Sequence, residues 1–110
     1  MKPAAQCNSL DEVRAQVDRI DQQVIALLSR RAEYVQAAAR FKSSESAVAA
    51  PERFAAMLQV RRAWAEREGL SADVVEKMYR DLVNYFIARE KEHWQASNTA
   101  GWMAREIKRI

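Results

Sequence analysis

Apolar residues recur along the first third of the chain at Leu10, Val13, Val17, Ile20, Val24 and Leu27. The steps alternate three and four, which is the seam of a helix and not the alternation of a strand. Ser9 and Glu12 precede the seam as an S-x-x-E capping box. The pattern then runs without Gly or Pro to about Lys42. That predicts a first helix of roughly 33 residues, about 50 Å long. Pro51 fits the first turn of a second helix running to about Glu68 and stopped by Gly69. Its apolar side holds Phe54, Met57, Leu58, Arg61, Trp64 and Ala65. Ser71 caps a third helix, with Asp73 in its first turn. Val75, Met78, Tyr79, Leu82, Val83, Phe86 and Ile87 form its core stripe, which Glu90 and Trp94 continue. Ser97 to Gly101 interrupts the pattern, and Trp102, Met103, Ile107 and Ile110 fit one short amphipathic helix. The expected organisation is a loose lead-in at 1–8, a helical domain at 9–96 and a C-terminal extension at 97–110.

The length of the first helix implies a partner. A compact chain of this size has a radius of gyration of about 13 Å. A helix of about 50 Å overhangs such a body and leaves part of its seam bare. A homodimer that pairs or exchanges the long helices covers it.

Three cations and one acid interrupt the apolar faces. Arg31 occupies the seam position after Leu27. A guanidinium on a core seam is expected to be buried, and a buried cation needs an anion. That anion is either an acid of the protein or a ligand. Arg31, Val35, Ala38 and Lys42 follow at i, i+4, i+7 and i+11 and share one stripe. The two cations stand about 16 Å apart along the axis, a span that long side chains leaning inward can close on one small anion. Residues 43–50, SSESAVAA, read as a loop that either closes over Lys42 or merely links two helices. Arg53 precedes Met57 by four and shares its face. Glu90, between Ile87 and Trp94, is protonated, paired with a cation, or an edge residue reaching solvent. Arg14 lies about 25 Å along the helix from Arg31. It joins the same site only from the partner chain; otherwise it is an exposed residue beside Asp11 and Asp18.

Composition narrows the class further. The 110 residues are 49% hydrophobic and 30% charged, with two Gly and two Pro, which favours one all-helical domain over a sheet protein. The single Cys7 excludes an internal disulfide framework. No apolar run approaches membrane-spanning length and no apolar signal segment opens the chain, so a cytoplasmic location is expected. The net charge of +3 comes from basic residues interleaved with acids, which is not a nucleic-acid footprint. There is no zinc spacing, no glycine-rich phosphate loop and no repeat, and the lone His93 has no His or Cys partner at metal-ligand spacing. Neither a metal nor a cofactor is expected.

Taken together, Arg14, Arg31, Lys42, Arg53 and Glu90 resemble the motif of the AroQ-type (type II) chorismate mutases. That motif has an Arg near the start of the first helix and an Arg and Lys eleven apart near its end. An Arg early in the second helix and a Gln or Glu late in the third complete it. The stretches DEVRAQVDRID, RRAEYVQAAARFKSSESAVAAPER, AAML and WAEREGL resemble one branch more closely, the isochorismate pyruvate lyases of salicylate and siderophore biosynthesis. The resemblance covers residues 7 to about 95. It implies an all-α, three-helix protomer with a long first helix in an intertwined homodimer.

It also implies a cofactor-free pericyclic reaction, in which isochorismate gives salicylate and pyruvate, with weak conversion of chorismate to prephenate. By that resemblance Arg31, and Arg14 of the partner chain, hold carboxylates. Arg53 helps close the site, and Lys42 donates to the ether oxygen and orders the loop. Glu90 contacts the ether oxygen or the enolpyruvyl group. Val35, Ala38, Met57, Phe86 and Ile87 shape an apolar wall. Two departures qualify the match. The lyases carry Gln where this chain has Glu90, and a Glu donates to an ether oxygen only when protonated. Many mutases follow the Arg of the second helix with a Glu for the ring hydroxyl of chorismate; here Phe54 stands there, which favours isochorismate. A dedicated chorismate mutase and a non-catalytic helical dimer module are the alternatives.

Overall fold

The computed structural model describes the backbone of residues 2–41 and 50–109, with side chains as far as Glu92. Lys42 and residues 43–49 of the expected loop lie outside the described residues. Three α-helices account for most of the chain: α1 (Leu10–Ala38), α2 (Pro51–Arg67) and α3 (Ala72–Arg109), with short 3-10 turns at Ala4–Gln6 and Ala39–Phe41. Among the described residues there is no strand, and the fold is all-α as the pattern predicts. The chain divides into two compact units, Met1–Gln36 and Ala37–Ile110.

In the first unit, the capping box forms. The Glu12 N–H donates to Ser9 Oγ at 3.1 Å, and the Val13 N–H donates to the Ser9 carbonyl at 3.2 Å. The Glu12 carboxylate reaches back to accept the Asn8 N–H at 2.6 Å. The lead-in is not loose: the 3-10 turn brings Lys2 Nζ to within 3.1 Å of the Glu12 carboxylate. α1 has no buried residue. Its seam side chains, Leu10, Val13, Val17, Ile20, Val24 and Leu27, are between 42% and 60% exposed. A stripe with helical period and no cover is a face made for another surface.

The α-helical part of the first element is shorter than its pattern predicts, 29 residues, because the chain tightens into a 3-10 turn after Ala38. Such a tightening satisfies carbonyls that a helix end leaves open. Arg40 assists, its Nε donating to the Ala37 carbonyl at 3.4 Å.

In the second unit, α2 and α3 form an antiparallel hairpin around Met57, Leu58 and Ala65, which are buried. Each large apolar side chain so enclosed contributes about 1.5–3 kcal/mol. α3 answers with Val75, Tyr79, Leu82, Val83, Phe86 and Ile87, all half-buried. Trp64 and Met78, expected in the core, are largely exposed. The turn between the helices is specified locally. Gly69 adopts φ +75°, its N–H donates to the Glu66 carbonyl, and the Leu70 N–H reaches back to Ala65. This is the Schellman arrangement, which a residue with positive φ permits. Ser71 then caps α3, its Oγ accepting the Val74 N–H at 3.3 Å.

The register of the hairpin is fixed by charged side chains. Arg62 of α2 donates to Asp73 at 2.8 Å and lies 3.7 Å from Glu76. The Arg61 guanidinium stacks on Trp64 and on Tyr79 of α3. α3 is continuous through Ser97–Gly101, where the pattern predicts a break. One Gly weakens a helix interior by about 1 kcal/mol relative to Ala but, unlike Pro, does not remove a backbone donor.

Candidate active site

Glu90 is the buried charged residue among those described, at 9% exposure. It belongs to the half-buried Phe86–Ile87 face of α3, as its place in the stripe predicts. Across the hairpin, α2 supplies buried Met57 and, one turn earlier on the same face, exposed Arg53. The Arg62–Asp73 pair and the Phe54 ring, 6.0 Å from the Arg80 guanidinium, set the start of α2 beside the Arg80 turn of α3; Phe86, Ile87 and Glu90 stand further along that helix, Glu90 about 15 Å beyond Arg80. Ala38, the last residue of α1, is exposed. Of the expected residues, the second unit thus carries Arg53 and Met57 on α2, Phe86, Ile87 and Glu90 on α3, and Ala38.

The first unit holds the other cations. Arg31 is half-buried and not fully buried, with Val35 half-buried one turn on. Within its own unit α1 has no second helix to bury it, so a seam position is only partly covered. Arg14 is exposed. Among the described residues, Arg14, Arg31 and Arg53 make no ion pair, even though Asp11 and Asp18 are within helical reach of Arg14. Contrast Arg62, whose guanidinium is held above its ordinary range by its hydrogen bond to Asp73. Three arginines with guanidinium donors to spare are suited to bidentate recognition of planar carboxylates. The expected fourth cation, Lys42, lies outside the described residues.

Two features escape the sequence pattern. Lys2, in a segment with no periodicity, finds Glu12 only because a 3-10 turn reverses the chain. The Arg62–Asp73 pair spans eleven positions across a tight turn, and the signal for it was the predicted stop at Gly69 followed by the cap at Ser71. Among the described residues no group of three or more His, Cys, Asp or Glu is placed to hold a metal. Nor is any helix searched there long and apolar enough to cross a membrane.

The type II chorismate mutase family model matches residues 13–91, and the chain belongs to that family. Among individual proteins, it is 43% identical over 100 residues to the isochorismate pyruvate lyase of Pseudomonas aeruginosa, covering 91% of this chain and 99% of that one. It is also 35% identical over 85 residues to the T-protein of Haemophilus influenzae, covering 76% of this chain but only 22% of that longer protein.

Proposed function

We propose that this protein is an isochorismate pyruvate lyase, converting isochorismate to salicylate and pyruvate, with weak chorismate mutase activity. The observation that carries the reading is the 43% identity to a lyase along 99% of the length of that enzyme. In the reaction, a ring hydrogen migrates to the methylene carbon of the enolpyruvyl group as the ether C–O bond breaks. The electrons of that bond complete the pyruvate carbonyl, and loss of the ring hydrogen leaves the aromatic ring of salicylate. Every atom of the products comes from the one substrate.

In a concerted rearrangement the protein contributes conformation and electrostatics. Arg31 and, from the partner chain of a homodimer, Arg14 hold the two carboxylates as bidentate forks. Arg53 approaches from the start of α2. Lys42 and Glu90 donate to the ether oxygen, where negative charge grows as the bond breaks. Val35, Ala38, Met57, Phe86 and Ile87 confine the ring in its reactive conformer. The dimer reading is supported by the bare seam of α1. The trans placement of Arg14 is supported by its distance of about 25 Å along α1 from Arg31. A cytoplasmic location fits a cofactor-free enzyme of this kind with no helix suited to a membrane among the residues searched.

Dedicated chorismate mutase activity is the second reading, and Glu90 favours it, since a carboxyl group at this place occurs in mutases. The two are separated by supplying isochorismate and chorismate in turn. Fast salicylate formation, followed by fluorescence, with slow prephenate formation supports the lyase; prephenate without salicylate overturns it. Arg31→Ala is expected to abolish turnover while the helical circular dichroism is preserved. Unchanged turnover in that variant would overturn the role given to Arg31, and silence of the parent protein on both substrates would assign the chain to a non-catalytic helical module.

A further inference from the structure

The first turn of α1 is braced from outside the helix. Residues 2–8 fold back on it: the Gln6 N–H donates to the Pro3 carbonyl at 2.9 Å and the Cys7 N–H to the Ala4 carbonyl at 3.2 Å. This reversal delivers Lys2 Nζ to both oxygens of the Glu12 carboxylate, 3.3 Å from Oε1 and 3.1 Å from Oε2, and the Asn8 N–H to Oε2 at 2.6 Å. Helix ends fray unless their open donors are satisfied or their side chains are packed. Since α1 has no buried residue, its first turn depends on this brace within its own unit.

Arg14 stands two residues after Glu12. Residues at i and i+2 do not face each other on a helix, so Glu12 acts on Arg14 through the backbone and not by contact. There is also an electrostatic side. Glu12 has its charge matched by Lys2, so it is not left to draw the Arg14 guanidinium away from a ligand.

We infer that Lys2 and Glu12 are positioning residues for substrate binding, holding the turn of α1 from which Arg14 projects. The inference rests on the reading of Arg14 as a carboxylate-binding residue. It extends the site to a lead-in segment that precedes the family match at residue 13.

The test is a double-variant cycle on the dimeric enzyme with isochorismate as substrate, reading KM and kcat separately. Glu12→Ala and Lys2→Met are each expected to raise KM by about five-fold, the size of a lost helix cap, with kcat within about two-fold. In an Arg14→Ala background, both increases are expected to vanish. A merely structural brace would give increases that persist without Arg14, and that result overturns the inference, as would an unchanged KM in both single variants. If Arg14→Ala itself leaves KM unchanged, the assignment of Arg14 to the site fails, and the positioning role falls with it.

Discussion

The Leu70 N–H donates to the Ala65 carbonyl at 2.8 Å, closing the C-terminus of α2 across a glycine with φ +75°. A Cβ at Gly69 would meet nothing within 4 Å, so a substitution here is opposed by backbone conformation alone. Gly69→Ala is expected to destabilise the protein by about 1 kcal/mol, read as a lower urea midpoint at fixed protein concentration, with catalysis intact. A loss several times larger would mean that the turn sets the packing of α2 on α3 and not only its own geometry.

The Arg61 guanidinium carbon lies 4.7 Å from the Trp64 ring centroid and 5.6 Å from that of Tyr79. The stack joins two helices and is half-buried, so Arg61→Ala is expected to cost about 1–2 kcal/mol of stability. Arg61→Lys keeps the charge but loses the planar stacking surface, and is expected to fall between. Urea denaturation of the three proteins ranks them, and equal midpoints would show the stack to be ornamental.

How much of this was legible beforehand differs by feature. The α1 seam, the Ser9 and Ser71 caps and the Gly69 stop are local and periodic, so sequence reports them well. Glu90 stood out because one carboxylate interrupts a stripe otherwise apolar from Val75 to Ile87. The lead-in was illegible because Lys2 and Glu12 are ten positions apart and meet through a 3-10 turn that has no period. The continuity of α3 was misjudged because Ser97, Asn98 and Thr99 favour turns yet are tolerated in helices, and the single Gly101 is too weak a breaker alone. Period alone puts Trp64 and Met78 in the core, yet they are 46% and 63% exposed, because period gives a face and not how much of it a neighbour covers.

The Glu12 carboxyl is held below its ordinary value of 4.5, first by the Asn8 N–H and then by Lys2. The folded-state value is the lower one, so its contribution is present above the unfolded-state value and is lost as pH falls through the folded-state value. The Asn8 amide resonance is therefore expected to titrate with a midpoint below 4.5, and Lys2→Met to raise that midpoint. A midpoint unmoved by Lys2→Met would show the ion pair to be absent in solution.

If Glu90 donates to the ether oxygen, a side chain carrying a donor must stand at its place. Glu90→Gln, which always carries one, is then expected to retain turnover, and Glu90→Ala to lower it by about 100-fold. Equal turnover in Glu90→Ala and the parent protein would remove Glu90 from that role.

Arg14 and Arg31 of one site come, in the proposed dimer, from different chains. Arg14→Ala and Arg31→Ala are each expected to be inactive alone. Unfolded together in equal amounts and refolded, they should recover about a quarter of wild-type activity, since half the dimers are mixed and each mixed dimer has one intact site. No recovery would place both arginines in the same subunit's site.

The bare face of α1 has a consequence for synthesis. Within its own unit nothing covers it, since none of its residues is buried. In the proposed dimer, each newly made chain therefore carries an adhesive strip until its partner arrives. Production rate, and not only sequence, then sets how long that strip stays open, and slow, dilute expression prolongs the interval in which holdases and proteases compete for it.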